Sequence, residues 1–461
     1  MLKIYNTLTR EVEEFKPLGK TVKMFVCGPT VYDYSHLGHA RTYIVFDVIA
    51  KWLRHIGYEV YYLMNITDVD DKIIKKAEEM GTGPIDLARR FESYFIEDIK
   101  ALGIDTIDKF ARASDHIPEI LDFIRRLIEK GFAYETRTGV YFDISKFGEY
   151  GKLSHQEPEE LNKHRIEPDP TKRNPVDFSL WRKTGGLTWD STYGRGRPGW
   201  HIEDTAIAEK YLGQQYDIHG GAIDLIFPHH ESEIAQMEAL SGKPMVKCWI
   251  HTGFLTVNGK KMSKSLGNFI TIRDILKKYD ANLIRLFMLS VHYRSPIDFD
   301  ESLLEGVRNK VKKLQNLVDN IQTALKNENL SEMFDKEFEF EVERLEKKFS
   351  EYMNDDFNTP MAINVVFDLA KEINKYLENP KSRRSLEKAY ETFSRLTGIL
   401  GLKFEPTSED LPEEVVQLIK IRDVLRKEGK FEIADEMRKR LMEKGFVIED
   451  TPSGTKCKRI A

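Results

Sequence analysis

Cysteine is nearly absent from this 461-residue sequence. Cys27, Cys248 and Cys457 are too few and too scattered for a disulfide framework. Long apolar runs are missing too: no stretch approaches the ~20 residues that span a bilayer, and the opening MLKIYNTLTREVEEF lacks the apolar core of a secretory signal. A reducing, cytoplasmic setting with no membrane partner is the expectation. Nor is there a marked excess of either charge, since charged residues are 31% of the chain and the net charge is only -5. That denies the chain a globally basic surface, so any nucleic-acid contact must use local patches. What remains is ordinary for folded protein, with 41% hydrophobic content and length for about three domains.

The stretch from Cys27 to His39, CGPTVYDYSHLGH, organises the first part of the chain. It follows the apolar-rich run Val22 to Val26, which reads as a buried strand, and leads into Thr42 to Ile56, which reads as a helix. Gly28-Pro29 ends the strand in a turn, and His36-Leu37-Gly38-His39 stands at the helix entrance. Unpaired backbone N–H groups gather there and a glycine lets a phosphate approach, so two histidines one turn apart can hold the phosphates of a nucleotide. Helix caps or surface histidines would read the same way. Far downstream, Lys261-Met262-Ser263-Lys264-Ser265 is a small-residue loop whose two lysines can be laid on a triphosphate. On its own it also reads as an exposed basic turn.

Glu59 to Met64 alternates and is rich in tyrosine and valine, as a strand should be. Strand, helix and strand so spaced predict a right-handed crossover with ligands at the carboxyl ends of the strands. Thr67 falls at such an end and is a better candidate for touching substrate than the acidic cluster after it. Ile73 to about Lys130 reads as mostly helical. Ala133 to Asp190 breaks into short strand-like pieces, such as Val140-Tyr141-Phe142, and reads as an insertion between two halves of a nucleotide-binding fold. Within it, Lys172-Arg173-Asn174-Pro175 is either a phosphate contact or a surface loop.

The second half carries Gly199-Trp200-His201-Ile202-Glu203-Asp204, Tyr216 to Asp224, and Pro228-His229-His230-Glu231-Ser232-Glu233. Pro228 suits the first turn of a helix running to Leu240. His229 and Glu233 share a face there, a spacing that suits two ligands of one metal ion or a plain polar face. Beyond Lys261 the pattern is almost wholly helical. A long helix capped by Asp300 carries an apolar stripe from Leu303 to Leu325, and helices over Glu339–Met353, Pro360–Leu377 and Ser385–Leu400 are expected to complete a bundle. The turn-rich Phe404 to Pro412 sets off a terminal module. Twelve Lys and Arg against ten Asp and Glu in residues 411–461 make it +2 and leave -7 for the rest, the right sign for an RNA-binding end.

HLGH and KMSKS together resemble the signature of class I aminoacyl-tRNA synthetases. With FVCGPTVYDYSHLGHARTY, NITDVDDKI, RPGWHIE, YDIHGGAIDLIFPHHESEIAQ, NDDFNTP and the tail ADEMRKRL to EDTPSGT, the chain resembles the cysteinyl-tRNA synthetases over essentially its full length. The resemblance implies an α/β fold: a Rossmann-type parallel-sheet catalytic domain in two halves, 1–115 and 194–250, separated by a connective insertion, 116–193. A stem-contact region with the KMSKS loop (251–300), a helical bundle (301–403) and a small C-terminal anticodon-binding domain (411–461) follow. It also implies a two-step reaction, in which ATP and L-cysteine give cysteinyl-adenylate and pyrophosphate, and cysteine then passes to the 3′-terminal adenosine of tRNA(Cys). A monomer is expected.

In that family likeness, His36, His39, Lys261 and Lys264 stabilise charge developing on the triphosphate, Gly38 and Asp224 also face ATP, and Mg2+ accompanies the nucleotide. Gly28, Thr67, Trp200 and His219 match positions of the cysteine pocket. Arg426, Phe431, Asp435 and Asp450 match positions that read anticodon bases, with Phe431 standing where some relatives have tryptophan; Cys457 also replaces a frequent tryptophan. The likeness further implies a zinc ion (Zn2+) held by Cys27, Asp204, His229 and Glu233. Serine and cysteine differ by one atom, which pocket size separates poorly, whereas zinc strongly prefers thiolate to hydroxyl. Asp204 departs from the commonest pattern, where a second cysteine stands, yet it is a legitimate zinc ligand of the same charge. His201 and His230 are expected to pack or to orient ligands, and Cys248 to pack in the core. A ligase joining cysteine to an amino sugar would lack the full tail, and a non-catalytic relative would be expected to have lost HLGH or KMSKS.

Overall fold

The computed structural model describes residues 1–156, 169–262, 266–407, 412–451 and 454–459. Two compact units divide the chain. The first comprises Met1–Glu305, Glu351–Met361 and Ile399–Leu402; the second comprises Gly306–Ser350, Ala362–Gly398 and Lys403–Ala461.

The first unit opens with the antiparallel pair β1 (Lys3–Asn6) and β2 (Glu11–Glu14). β3 (Thr21–Val26), α1 (Leu37–His55) and β4 (Glu59–Ile66) then make the expected crossover. Helices α2 (Asp71–Met80) and α3 (Pro84–Ala101) lead to β5 (Lys109–Arg112). This short strand lies inside a stretch expected to be helical. Its sequence, KFAR, carries no apolar run, and its pairing with Leu63–Ile66 at the sheet edge makes it a strand.

α4 (Ile117–Glu129) precedes a separate antiparallel sheet, β6 (Ala133–Glu135), β7 (Gly139–Phe142), β8 (Phe178–Arg182) and β9 (Arg197–Pro198), which stands in the chain between β5 and the return to the central sheet. The chain then returns through α5 (Ile202–Leu212), β10 (Tyr216–Ala222), α6 (Glu231–Ser241) and β11 (Val246–Thr252).

The central sheet is all parallel, in the order β11-β10-β3-β4-β5. Strands added after β3 run one way and those after the separate sheet run the other, so the direction of winding reverses between β3 and β10. The crevice at the carboxyl ends of those two strands is where such sheets bind ligands. The inner strands β3 and β4 are buried almost continuously over Met24–Val26 and Tyr62–Ile66, as strands of a sheet covered on both faces are.

Beyond the sheet, β12 (Leu255–Val257), β13 (Lys260–Lys261) and β14 (Ile297–Phe299) form a small sheet, with α7 (Ile272–Leu276) and α8 (Ala281–Leu289) between the last two strands. Asn258 and Gly259 make the β12–β13 turn, both with positive φ (52° and 71°), which suits an Asn-Gly hairpin. α8 buries Arg285. Its guanidinium pairs with Asp47 at 2.5 Å and donates to the carbonyls of Leu102 and Leu400, 3.1 Å each. Asp356 closes the N-terminal strand into the unit by accepting from Tyr5 N (2.8 Å), Tyr293 OH (2.6 Å) and Arg294 Nε (2.7 Å). Cys248 is buried on β11, as expected of a core residue.

In the second unit lie most of α9 (Leu304–Leu325), α10 (Lys336–Met353), α11 (Thr359–Leu377) and α12 (Arg383–Ile399). Leu314, Leu317, Val318 and Ile321 are buried along α9, but Leu303 is exposed, because a 3₁₀ turn over Glu301–Leu303 precedes the regular helix. α13 (Glu413–Lys427), α14 (Phe431–Glu443) and the hairpin β15 (Phe446–Thr451) and β16 (Gly454–Arg459) have a core of Val415, Leu441, Phe446 and Ile448. Among the described residues no helix is long and apolar enough to cross a membrane.

Candidate active site

The carboxyl ends of β3 and β10 gather the expected metal ligands. Cys27 follows β3 directly, its N–H bonded to Gly220 O (3.1 Å) on the neighbouring strand. Asp204 sits in the first turn of α5 and Glu233 in that of α6, where the helix dipole favours a carboxylate. His229 and His230 lie in the irregular turn Ile226–His230 ahead of α6, so Pro228 precedes the regular helix rather than opening it. Asp204 Oδ2 is 3.3 Å from Cys27 Sγ and 3.1 Å from His229 Nε2. His229 Nε2 is 2.9 Å from Glu233 Oε1. All four residues are buried.

A second set shares Cys27 and Glu233. His230 Nε2 is 3.0 Å and His219 Nε2 3.5 Å from Cys27 Sγ, and His219 Nε2 is 3.3 Å from Glu233 Oε2. In each set the ligand atoms lie within 4.8 Å of one another. Every histidine is oriented through its other nitrogen, as metal-binding histidines usually are: His229 by His201 (2.9 Å), His219 by Tyr216 OH (2.6 Å), and His230 by His251 (2.8 Å), which in turn meets Thr7 Oγ1 (2.8 Å). His201 thus meets the ring of His229, whereas His230 touches the Cys27 thiol itself.

The electrostatics describe buried acidic groups that raise one another. Burial pushes the Cys27 thiol well up, and Glu233 and Asp204 push it further. Burial likewise raises the Glu233 carboxyl, and no well-angled hydrogen bond reaches either of its oxygens. Burial alone would lower His229, yet Glu233 and Asp204 hold it up. A thiol, two carboxylates and an imidazole buried together are costly unless a metal ion or protons neutralise them, and sulfur, nitrogen and oxygen donors of this kind fit zinc.

Around the cluster, Gly28 N donates to Asn65 Oδ1 (2.6 Å), and a Cβ at Gly28 would lie 1.8 Å from Asn65 O, so only glycine fits. Asn65 Nδ2 donates to Asp204 Oδ1 and, at 3.3 Å, to Thr67 Oγ1; Thr67 donates to Glu203 Oε1. Trp200 stacks on His229 with ring centroids 4.6 Å apart. Neither Asn65 nor Glu203 stands out in the sequence, although both neighbour residues that do.

At the entrance of α1, His36 caps the helix by accepting from Gly38 N (3.1 Å), and its ring stacks on His39 at 3.8 Å. A Cβ at Gly38 would press on the His36 ring at 2.9 Å. Burial, then His36 and Lys72, lower the His39 pKa well below 6.5. The HLGH entrance adjoins the segment that follows KMSKS, since Leu37 N donates to Ile270 O (3.1 Å) and Ile272 N to Ser35 O (2.8 Å). Lys261 is exposed on β13, Asp224 is exposed just beyond β10, and Lys264 lies outside the described residues.

In the tail, Asp450 accepts from Arg422 (2.6 Å) and Arg426 (2.9 Å), which lower its pKa. Phe431 and Asp435 are exposed at the start of α14.

Residues 14–309 match the family model of the tRNA synthetases class I (C) catalytic domain, and 348–405 match that of the DALR domain. A curated cysteine–tRNA ligase of Thermococcus gammatolerans is 51% identical, the alignment covering 100% of this chain and 99% of that one. Another from Methanococcus maripaludis is 49% identical over 100% of both. Among solved structures, a Mycobacterium tuberculosis methionyl-tRNA synthetase with methionyl-adenylate shares the fold, with a TM-score of 0.61 and 19% identity over 83% of this chain and 90% of that one. A buried Cys/Asp/His/Glu cluster at the switch of a parallel sheet, beside an HLGH helix entrance, is thus met in a chain that belongs to the cysteine–tRNA ligase family of class I aminoacyl-tRNA synthetases.

Proposed function

We propose that this chain activates L-cysteine with ATP to cysteinyl-adenylate and pyrophosphate, then transfers cysteine to the 3′-terminal adenosine of tRNA(Cys), working as a cytoplasmic monomer. The observation that carries the reading is the buried cluster of Cys27, Asp204, His229 and Glu233 beside the HLGH entrance. Zinc bound by those four residues would supply a Lewis acid that prefers the substrate thiolate to a serine hydroxyl.

The chain's own residues do the rest by positioning and electrostatics. The carboxylate of cysteine attacks the α-phosphorus, and no side-chain nucleophile is called for. Gly28, Thr67, Trp200 and His219 frame the amino acid; His36, Gly38, His39 and Asp224 receive the nucleotide with its Mg2+. His39, kept neutral by burial, accepts from His36 N at Nδ1 and so has its Nε2–H to offer the charge developing on the phosphates. Lys261 and Lys264 add ammonium groups to the leaving pyrophosphate. Residues 411–461 serve as the anticodon-binding domain, with Arg426, Phe431, Asp435 and Asp450 facing the bases.

The test is exchange of labelled pyrophosphate into ATP with cysteine and serine in parallel. Exchange with cysteine alone is expected; exchange with serine would defeat the zinc-selection reading, and exchange with neither would defeat the activity. For Asp204, metal content after dialysis separates ligand from bystander. Asp204→Ala should lose its metal at chelator concentrations that wild type withstands, and equal retention would remove Asp204 from the ligand set.

A further inference from the structure

Buried carboxylates crowd this crevice, and all but one oxygen among them have an evident counterpart. Asp68 is filled by Arg89 (2.9 Å) and by the N–H and hydroxyl of Ser114. Asp204 is held by Asn65 and His229, and both Glu233 oxygens face histidines of the metal cluster. Glu203 is different. It is 1% exposed, Oε1 accepts from Thr67, and Oε2 has no hydrogen-bond partner. Among the described residues no lysine, arginine or histidine pairs with it.

Glu203 also stands in the right place for a ligand. Thr67, its partner, is tied to the turn after β3 through Thr67 N to Pro29 O and Val31 N to Thr67 O, 3.2 Å each. Asp204, next in sequence, lies 3.3 Å from Cys27 Sγ. The Thr67–Glu203 pair thus flanks the sulfur end of the pocket. A cysteine anchored by its sulfur carries its ammonium group only three bonds away. A free buried carboxylate oxygen suits such a cation, because a charge-assisted hydrogen bond there satisfies both groups.

We infer that Glu203 is a substrate-binding residue that receives the α-ammonium group of the amino acid on Oε2 while Oε1 holds Thr67 in place. This rests on the reading that the site takes cysteine by its sulfur. The metal cluster would then discriminate by side chain, and Glu203 would require an amino acid rather than any thiol.

The experiment compares L-cysteine with 3-mercaptopropionate, which keeps the thiol and the carboxylate but lacks the amino group. Dissociation constants are measured by calorimetry on the metal-loaded full chain. In Glu203→Gln, L-cysteine should bind more weakly, by about 10- to 100-fold, while 3-mercaptopropionate stays within about twofold, since only the former loses a charged hydrogen bond. Equal weakening of both ligands would mark Glu203 as merely structural, and no weakening of either would remove it from the pocket. Should Glu203→Gln fail to fold, Glu203→Asp retains the charge but withdraws it, and an intermediate loss confined to L-cysteine is expected. Wild type that binds neither compound would defeat the functional reading itself, a result distinct from loss of the difference between them.

Discussion

The buried cluster and the terminal module present their candidate site residues in opposite ways. Cys27, Asp204, His229 and Glu233 are at most 5% exposed, each pinned by strand ends and helix starts. Phe431 is 59% exposed, and the Arg426 and Asp450 side chains are 40% and 38% exposed. On the proposed function, the contrast follows from what each would separate. Telling sulfur from oxygen needs a dry site where charge counts heavily, whereas a nucleic-acid base arrives on a large ligand and can be stacked on at the surface.

The strongest way to break the contrast is at its buried end. Cys27→Ala should lower both metal content and cysteine-dependent pyrophosphate exchange by more than the roughly 10- to 100-fold cost of losing an orienting partner. A variant with normal metal content would mean the second ligand set, with His219 and His230, holds the ion without sulfur.

His251 sharpens the contrast through pH. Burial pushes its pKa from 6.5 down to about 3, so the folded chain keeps it neutral while the unfolded chain protonates it. Its contribution to stability is therefore lost as pH falls through 6.5. Between pH 7.5 and pH 5, wild type should lose about 2 kcal/mol more than His251→Asn, read from urea unfolding of both proteins. Parallel losses would mean the imidazole is already charged in the fold.

The smallest effect belongs to the exposed end. Phe431→Ala should raise the KM for tRNA by about fivefold, some 1 kcal/mol of stacking, and leave pyrophosphate exchange untouched. A change in exchange would show that the tail reaches further than its own ligand.

Much of this arrangement is legible in the sequence. The strand-helix-strand opening, the grouping of Cys27, Asp204, His229 and Glu233, and the helices of the second unit follow from period, spacing and family likeness. The rest depends on tertiary context. Lys109–Arg112 has no apolar pattern and becomes a strand only by pairing with its neighbour. His229 and His230 would diverge on a regular helix, but the irregular turn, with Phe227 at φ -134° and ψ 133°, precedes α6 and both histidines reach the cluster. Glu203 gains meaning only from an oxygen left without a partner, which no spacing rule reports.

The first unit is assembled from three pieces of chain, and that has a bearing on biosynthesis. Arg285 shares its buried charge with Asp47, already made, and with the carbonyl of Leu400, still to come. At roughly 5–20 residues per second, the ribosome needs about 5–20 seconds between Glu305 and Leu402. During that interval Tyr5, Tyr293 and Arg294 also wait for Asp356. The nascent catalytic unit thus leaves the ribosome nearly complete in sequence yet open at two seams, and it is sealed by residues that arrive only with the helices of its neighbour.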